Sequence, residues 1–308
     1  MRRPNNWRRL RRRRPFEVNR PDPLKLEMTT ARTTISQALV TASALGLDRL
    51  DAQLLMLHAL GKLPSDRAWL LAHDLDALPE SGKALFQALV QRRATGEPVA
   101  YLTGRKEFYG LDLGVDARVL VPRPDTETLV EWALALIGAS KSTTSPRRVI
   151  DLGTGSGAIA LAMKHARGQL QIAATDISAD ALAVARANAL QLKLDVQFSQ
   201  RAWLEGVTGR FDVIVSNPPY IALHDPHLPA LAHEPLQALV SGADGLDDIR
   251  HIIAQAPDHL NASGWLLLEH GFDQAAKVRT LLLSEGFTSV VSRRDLGGHE
   301  RCSGGQIV

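Results

Sequence analysis

The segment Val149-Ile150-Asp151-Leu152-Gly153-Thr154-Gly155-Ser156-Gly157-Ala158 decides the fold of this chain. Residues 149–152 predict a short buried strand, and residues 158–165 predict a helix that starts directly after it. The three glycines between them permit positive φ and let a ligand approach the backbone closely. No lysine follows the turn, so it is not the phosphate-gripping loop of nucleotide triphosphatases. This order of strand, glycine turn and helix predicts a ligand site at the first strand of an α/β sheet.

On either side of this segment, apolar runs alternate between strand length and helix length. The predicted strands are 149–152, 171–175, 211–215, 265–268 and 289–292, and the predicted helices are 126–137, 158–165, 180–190, 249–260 and 274–285. Strands that alternate with helices of this length predict a parallel sheet covered on both faces. We therefore expect a Rossmann-like, doubly wound α/β domain over residues 123–308.

The part of the chain before this domain has a different pattern. Residues 28–95 repeat apolar side chains at intervals of three and four, which predicts a small helical bundle. Residues 96–122 contain three short strand-like pieces separated by glycines, at 99–102, 108–113 and 118–120. We interpret them as a β-hairpin linker between the bundle and the α/β domain.

Composition excludes several classes of protein. The chain has 308 residues, of which 45% are hydrophobic and 22% charged, which is typical of globular proteins and not of disordered or collagen-like chains. The single cysteine, Cys302, allows no internal disulfide and no cysteine-built metal site, and it fits a reducing cytoplasm. No apolar run reaches the roughly 20 residues of a membrane-spanning helix. His224, His227 and His233 lack metal-ligand spacing, so we expect no metal.

The positive charge is concentrated at one end of the chain. Residues 1–27 carry ten basic and three acidic side chains, which is a net charge of +7. Because the whole chain has a net charge of +3, residues 28–308 have a net charge of −4. With four prolines and no periodicity, residues 1–27 are predicted to be a disordered basic arm. The arm has three interpretations: a targeting peptide, an arm attracted to RNA or membranes, or a stretch upstream of a true translation start at Met28. The acidic body argues against a nucleic-acid surface.

Two further positions are candidates for ligand contact. Asp176 follows the second strand, 23 residues after Gly153, where a carboxylate can accept both hydroxyls of a ribose. Its alternative role is to cap the next helix, a role for which Ser178 competes. Asn217-Pro218-Pro219-Tyr220 follows the strand 211–215, at the edge where open α/β sheets bind ligands. The Asn217 side-chain carbonyl and the Pro218 backbone carbonyl can together grip a planar NH₂ group, and Tyr220 can stack on it.

These three elements resemble the class I S-adenosylmethionine-dependent methyltransferases that methylate planar amino groups. The stretches TGEPVAYLTGRKEFYG, VLVPRPDTETLVEWAL, DLGTGSGAIALA, VSNPPYI, HEPLQALVSGADGLDDI and LLLEHG are similar to those of the peptide-chain release factor N5-glutamine methyltransferase (HemK/PrmC) family. The resemblance covers about residues 30–300 and includes the helical domain before the catalytic domain.

The resemblance implies roles for individual residues. S-adenosylmethionine would be held by Gly153, Thr154, Gly155, Ser156, Gly157, Asp176, Trp203 and Asn217. Trp203 would lie near the adenine, although it could also be a plain core aromatic, and Ala202 stands where the family has an acid. The substrate glutamine would be bound by Asn217, Pro218, Pro219 and Tyr220, with Asn217, Pro218 and Tyr220 as the catalytic group. Glu127 and Glu234 are expected to be a helix cap and a surface acid rather than proton acceptors.

The resemblance also implies the reaction. The expected activity is methylation of the side-chain amide nitrogen of glutamine in the Gly-Gly-Gln motif of release factors, with the helical domain 28–95 binding the substrate. We expect a cytoplasmic monomer with no stable nucleic-acid partner and no membrane contact. The alternatives are a DNA or RNA exocyclic-amine (adenine N6-type) methyltransferase, which would have to flip a base into the pocket, and a non-catalytic cofactor-binding protein. Gly304-Gly305-Gln306 in this chain repeats the substrate motif, which we interpret as coincidence.

Overall fold

The computed structural model describes residues 32–139 and 146–308. The basic arm 1–27 and the first residues of the helical domain, 28–31, lie outside the described residues. Within the described part, a helical domain comes first, a β-hairpin follows, and an α/β domain completes the chain. This order agrees with the fold class predicted from the sequence.

The N-terminal part of the described chain is all helical, as predicted. Its helices are α1 Ile35–Ala44, α2 Arg49–Ala59, α3 Arg67–Ala72, α4 Glu80–Ala94 and α5 Val99–Thr103. Thr34 and Gln37 form a reciprocal capping box that satisfies backbone groups at the start of α1. The core of the bundle contains Leu55, Met56 and Leu57 of α2, and these are fully buried. Burial of one continuous apolar cluster explains why the bundle forms.

The linker differs from its prediction in two of its three strand-like pieces. Residues 99–102 belong to α5, which Pro98 starts and which ends at Gly104 in the left-handed region, so the strand prediction there is wrong. The hairpin pairs β1 Arg105–Phe108 with β2 Leu111–Gly114. Its turn has positive φ at both Tyr109 and Gly110, the geometry that matches the twist of a hairpin. Residues 118–120 are a turn residue, a bend and irregular backbone, so the strand prediction there is wrong as well.

The α/β domain contains a seven-stranded sheet in the order β5-β4-β3-β6-β7-β9-β8. The strands are β3 Arg148–Leu152, β4 Gln171–Asp176, β5 Gln197–Gln200, β6 Phe211–Ser216, β7 Leu260–Glu269, β8 Thr288–Arg294 and β9 Glu300–Gln306. The sheet helices are α6 Glu127–Ala139, α7 Ala158–Ala166, α8 Ala179–Leu192, α9 Asp247–His259 and α10 Ala275–Ser284.

The sheet is mixed, so the prediction of a wholly parallel sheet is wrong at one end. Strand β9 runs antiparallel to both β7 and β8 and lies between them. The sequence of β9, ERCSGGQ, contains two glycines and no β-branched or aromatic residue, which is why its pattern did not predict a strand. Strand β5 at the opposite edge is only four residues long and was also missed.

Both faces of the sheet are buried by alternate residues of the same strands. On one face, Val149, Val213 and Leu267 belong to a cluster with residues of α6 and α7. On the other face, Ile150 and Ile214 belong to a cluster with residues of α9 and α10. Because successive side chains of a strand point to opposite faces, this alternation explains the continuous apolar runs in the sequence.

The strand order reverses between β3 and β6, which are neighbours in the sheet. From β3 the chain proceeds to β4 and β5 on one side, and from β6 it proceeds to β7 on the other. The loops after β3 and β6 therefore leave the same sheet edge in opposite directions and open a crevice between them. The Ser216 hydroxyl donates to the Leu152 carbonyl at 2.7 Å across the ends of these two strands.

The Gly304-Gly305 pair has a packing role in β9. A Cβ atom on Gly304 would lie 2.5 Å from Leu267 Cδ2 and 3.0 Å from Trp132 Cη2, and one on Gly305 would lie 2.8 Å from Phe287 Cβ. The Gln306 side-chain amide donates to the Ser263 carbonyl at 3.0 Å. Close packing thus accounts for the two glycines.

Gly304→Ala should destabilise the fold by about 1–3 kcal/mol, because the added methyl overlaps Leu267 and the backbone of β7. Chemical denaturation followed by circular dichroism measures this change. Gly168→Ala is the matched control, because a Cβ there meets no atom within 4 Å and its φ is not positive. Equal stability of the two variants would contradict the packing role of Gly304.

Candidate active site

The glycine turn after β3 is built as the sequence predicted, but its residues divide between two tasks. Gly153, Gly155 and Gly157 all have positive φ, at 69°, 55° and 85°. Gly153 and Gly155 line a cavity of about 370 Å³. Gly157 begins α7, and a Cβ there would lie 3.0 Å from Leu161 Cδ1 and 3.3 Å from Ala185 Cβ. Gly157 therefore permits close helix packing beneath the turn and is not part of the cavity lining.

Thr154 and Ser156 stabilise the turn from within. The Thr154 hydroxyl donates to Asp151 Oδ2 at 2.6 Å, and the Thr154 N–H donates to the Thr175 carbonyl at 2.9 Å. The Ser156 carbonyl accepts from Asn188 Nδ2 at 2.9 Å. Both side chains are buried, and neither residue lines the cavity among the described residues. They hold the loop in shape, so the structure does not bring them to the cavity as the resemblance implied.

Asp176 connects the loops after β3 and β4 and faces the cavity. Its Oδ2 accepts from the Gly155 N–H at 2.9 Å, and its Oδ1 accepts from the Ser178 N–H at 2.9 Å. Ser178, not Asp176, is the N-cap of α8, because its hydroxyl accepts from the Ala181 N–H at 3.1 Å. Burial raises the pKa of Asp176 above its ordinary value, while the backbone N–H groups oppose that rise.

Trp203 lies over the glycine turn. A Cβ on Gly153 would be 3.1 Å from Trp203 Cζ3, so only glycine leaves room for the ring at that place. Trp203 has a positive φ of 52°, and its carbonyl accepts from the Thr175 hydroxyl at 3.1 Å. The ring packs on the core and also lines the cavity. Ala202 lines the cavity as well, but its side chain offers no polar group.

A second cavity of about 340 Å³ adjoins the first. Its lining includes Tyr220, Arg123, Leu231 and Glu234, and Asn217 lines both cavities. Burial raises the pKa of Tyr220 to about 12, so its phenol stays protonated at neutral pH. Asn217 therefore stands at the junction between the glycine-turn cavity and the Tyr220 cavity.

The other residues of the Asn-Pro-Pro-Tyr segment take different positions around this junction. Pro219 lines the glycine-turn cavity beside Asn217. Pro218 is buried and does not appear in the lining of either cavity among the described residues. Gln274 Nε2 donates to the Tyr220 carbonyl at 3.0 Å, which anchors the end of the segment.

The Asn217 side chain is held in one orientation. Its Nδ2 donates to the Thr126 hydroxyl oxygen at 3.2 Å. Its Oδ1 is buried and has no hydrogen-bond partner among the described residues. A buried acceptor without a partner costs roughly 1–3 kcal/mol, so an N–H donor entering the cavity would recover that free energy. The site is thus prepared to accept a hydrogen bond from a ligand.

Two carboxyl groups differ from what the sequence led us to expect. Glu234 was expected at the surface, which is wrong: it is buried, accepts from the Val121 N–H at 3.1 Å and pairs with Arg123. Glu127 was expected to cap its helix, but it accepts from the Tyr109 N–H at 3.0 Å in the hairpin turn. Both acids bind residues more than fifteen positions away, which no local pattern indicates.

Two other buried carboxyls carry strongly shifted pKa values. Burial raises the pKa of Asp151 at the end of β3 to about 7, and Asp151 Oδ1 has no partner among the described residues. Burial likewise raises the pKa of Glu269 at the end of β7 to about 7. The only signal of Glu269 in the sequence is an acid at the end of an apolar strand.

Two histidines of the loop after β6 contact other groups of the protein. His227 is exposed and pairs with Asp225, and His233 Nε2 lies 3.1 Å from the Thr95 carbonyl of the helical domain. Over residues 32–139 and 146–308, no group of three or more His, Cys, Asp or Glu side chains could hold a metal ion. In the same residues, no helix combines the length and apolar character that a bilayer crossing requires.

A sheet with this strand order, a glycine turn after its first strand and Asn-Pro-Pro-Tyr after its fourth defines a class I methyltransferase. Residues 134–291 match the family described as "Methyltransferase small domain", and residues 30–104 match "PrmC N-terminal domain". The release factor glutamine methyltransferase of Xylella fastidiosa (strain Temecula1) is 50% identical over 87% of this chain and 97% of its own. That of Pseudomonas aeruginosa is 46% identical over 91% and 99%. The chain belongs to the release factor glutamine methyltransferase family.

Solved structures agree with the fold. The hMettl16 catalytic domain, solved in complex with the MAT2A 3′UTR hairpin 6, superposes with a TM-score of 0.52 at 18% identity. The match covers 68% of this chain and 79% of that one. At this identity the likeness concerns the methyltransferase fold alone.

Asp151→Asn should flatten the dependence of stability on pH. Between about pH 4 and 7 the folded state holds a proton on Asp151 that the unfolded state has lost, so stability falls as pH rises, by up to about 1.4 kcal/mol per pH unit. Because asparagine carries no such proton, the decrease in the free energy of unfolding between pH 5 and pH 7 should be smaller in the variant by roughly 1–2 kcal/mol. Urea unfolding at both pH values measures it, with the exposed Asp195→Asn as control. An unchanged slope would contradict a protonated Asp151.

Proposed function

We propose that this chain transfers the methyl group of S-adenosylmethionine to the side-chain amide nitrogen of the glutamine in the Gly-Gly-Gln motif of release factors. The observation that carries the proposal is the buried Asn217 Oδ1 at the junction of the two cavities, which has no hydrogen-bond partner in residues 32–139 and 146–308. An acceptor at that junction can bind an N–H group of a substrate in the Tyr220 cavity and hold it beside a reactive group in the glycine-turn cavity. The relatives' names supply the protein substrate.

The glycine-turn cavity fits S-adenosylmethionine. Its volume of about 370 Å³ lies in the range of small-molecule sites. Asp176 offers a carboxylate for ribose hydroxyls, and Trp203 offers an aromatic face for the adenine. Asp151 Oδ1 has no hydrogen-bond partner among the described residues, and although Asp151 is outside the cavity lining it suits the amino group of the methionine part, directly or through a water. When bound, this co-substrate supplies an electrophilic methyl group on a sulfonium.

Amide chemistry explains what the second cavity must do. The lone pair of a glutamine side-chain nitrogen is delocalised into its carbonyl, so this nitrogen is a poor nucleophile. Asn217 Oδ1 would accept one of its N–H groups. The carbonyl of Pro218, the next residue, would accept the other and aim the nitrogen at the glycine-turn cavity, although Pro218 lies outside the lining of both cavities among the described residues. Both acceptors also stabilise the positive charge that develops on the nitrogen during transfer. Tyr220 would stack on the amide plane, and positioning supplies much of the remaining rate.

The reaction needs no strong base. Once the nitrogen is alkylated, its extra proton is acidic and can leave to water. Glu234 is the acid in the Tyr220 cavity, but both of its oxygens already accept, from Val121 N–H and from Arg123. We therefore assign Glu234 to shaping that cavity and not to accepting the proton.

The helical domain is proposed to hold the release factor. The contact between His233 and Thr95 joins that domain to the loop that borders the Tyr220 cavity. A protein bound to the helices would thus lie beside the cavity that receives its glutamine. In this proposal residues 28–95 bind substrate, 96–122 link, and 123–308 catalyse, in a cytoplasmic monomer without a nucleic-acid partner.

Radiolabelled S-adenosylmethionine tests the substrate. We expect label on a release factor and none on its Gln→Ala variant at Gly-Gly-Gln or on adenine-containing DNA. The DNA arm tests the alternative of an exocyclic-amine methyltransferase, against which the net charge of −4 over residues 28–308 argues. Label on DNA alone would keep the fold and overturn the substrate.

Asn217→Ala should retain cofactor binding and lose methyl transfer by about 100-fold or more, because it removes the acceptor that orients the amide. Cofactor binding is measured by calorimetry and transfer by mass spectrometry of the Gly-Gly-Gln peptide. Asn261→Ala is the matched control, since Asn261 donates to Asp212 at the opposite end of β6. Full activity of the Asn217 variant would refute its role.

A further inference from the structure

We propose that Gln274 is a positioning residue that fixes the peptide unit between Tyr220 and Ile221 and thereby holds the Tyr220 ring in its cavity. This inference rests on the proposed function, because Tyr220 is the residue that stacks on the substrate amide there. Gln274 lines neither cavity among the described residues, so it acts through Tyr220 and does not touch the substrate. It directly precedes α10 and is buried, with 7% of its surface exposed.

The Gln274 carboxamide joins two loops. Its Oε1 accepts from the Gly271 N–H at 2.8 Å, in the turn after β7. Its Nε2 donates to the Tyr220 carbonyl at 3.0 Å and faces the carbonyls of Gly245 at 3.3 Å and Asp244 at 3.4 Å. One end of the group meets a donor and the other meets carbonyl oxygens, so its partners set its orientation. The side chain therefore connects the turn after β7 to both ends of the loop after β6, residues 217–246.

The peptide unit between Tyr220 and Ile221 is held at both of its polar groups. Its carbonyl accepts from Gln274, and its N–H donates to the Leu239 carbonyl at 2.9 Å. Because a peptide unit is planar and its C=O and N–H point in opposite directions, these two bonds together oppose its rotation. That rotation is the ψ torsion of Tyr220. Loss of the Gln274 bond would thus free the backbone that aims the Tyr220 ring.

The backbone around this peptide unit closes the base of the loop after β6. Ile221 and Val240 form a parallel bridge, and the Ser241 N–H donates to the Ile221 carbonyl at 3.0 Å. One step further, the Leu223 N–H donates to the Gly242 carbonyl at 2.9 Å. These bonds tie the two ends of the loop to each other. Gln274 in turn ties both ends to the turn after β7.

Glycine at position 245 makes room for this contact. Gly245 has a positive φ of 76°, which glycine adopts without strain. A Cβ at this position would overlap the Tyr220 carbonyl and would lie 2.8 Å from Gln274 Nε2. Any other residue at position 245 would therefore push the Tyr220 carbonyl and the Gln274 amide apart.

The turn that precedes Gln274 is anchored by a buried histidine. The Gly271 carbonyl accepts from the Gln274 N–H at 2.9 Å, and His270 Nδ1 lies 2.8 Å from the same oxygen. Because a carbonyl only accepts, Nδ1 carries the proton, and Nε2 accepts from the Ser303 hydroxyl at 2.7 Å. Burial lowers the pKa of His270, which favours the neutral ring that this pattern requires. Since Ser303 belongs to β9, the turn is fastened to the sheet.

Kinetics of two variants with a release factor substrate test the role of Gln274. Gln274→Met keeps the length of the side chain and loses its hydrogen bonds, so kcat should fall by about 10- to 100-fold. Gly245→Ala should give a similar loss, because the added methyl displaces the Tyr220 carbonyl. Cofactor binding, measured by calorimetry, should stay within about threefold, because Asp176 and Trp203 lie outside the loop. The double variant should lose no more than either single variant, since both break one contact.

Gln306→Met is the matched control. It is the same substitution at a glutamine whose Nε2 also donates to a backbone carbonyl, that of Ser263, at 3.0 Å. Gln306 ends β9 and pairs with Trp265, so it lies towards the sheet edge opposite to the cavities. This variant should keep kcat within about twofold of the wild type.

Hydrogen exchange reads the contact without any activity. In the wild type, the amides of Ile221, Leu223 and Ser241 should be protected, because each donates within the base of the loop. In Gln274→Met they should exchange about 10-fold faster or more, while the amides of β3 stay unchanged. Gln306→Met should change none of them. Mass spectrometry of peptic peptides over 219–224, 238–243 and 148–152 measures these rates.

The outcomes separate this inference from the proposed function. If the wild type does not methylate the glutamine, the proposed function fails, while hydrogen exchange still decides whether Gln274 holds the loop. If the wild type is active, a Gln274→Met variant with kcat within about twofold overturns the inference. Faster exchange that extends to β3, or losses that multiply in the double variant, would overturn it as well. Should the variants fail to fold, the wild type decides: protected amides at Ile221 and Leu223 support the fixed base, and unprotected ones contradict it.

Discussion

The reversal of strand order between β3 and β6 is the constraint on which the rest of the structure depends. It sends the glycine turn and the Asn-Pro-Pro-Tyr segment away from each other at one sheet edge, and the hydrogen bond from Ser216 to the Leu152 carbonyl keeps the two strand ends in register. Two adjoining cavities follow from this divergence. Leu120, Ala238 and Asn217 line both cavities, and Asn217 is the first residue after β6, so the position of the key acceptor is a consequence of topology.

Polar groups buried beneath this sheet edge lower the stability of the fold and leave acceptors to which a ligand can donate hydrogen bonds. Asp151, Asn217 and Glu269 each keep a buried oxygen without a partner in the described residues. Such groups are uncommon in folded proteins and concentrate where a ligand completes the hydrogen bonding. Around them the remaining donors and acceptors are paired, including those of Thr154 and Asp176. Of the three, Asn217 lines the cavities, whereas Asp151 and Glu269 lie outside their lining among the described residues.

Much of this could be predicted from the sequence, because the deciding signals are local. The glycine turn, the acid at the end of β4 and the segment after β6 each lie in or within a few residues of a strong apolar strand. What failed depended on distant partners or on weak patterns. The ion pair of Glu234 with Arg123 spans more than a hundred positions, and β9 has little intrinsic preference for a strand. Val99 begins a helix despite its β-branched side chain, because its contacts with the bundle outweigh local propensity.

The pairing of Glu234 with Arg123 and with the Val121 backbone joins the chain before the α/β domain to the loop after β6. These two segments form one wall of the Tyr220 cavity, although each is encoded far from the other. The wall therefore depends on both segments: this loop, placed beside a 118–124 stretch that has no guanidinium at position 123, would bury the Glu234 carboxylate without its cation. Chimaeras built to change protein specificity need both segments from the same parent, and drift in one segment constrains drift in the other.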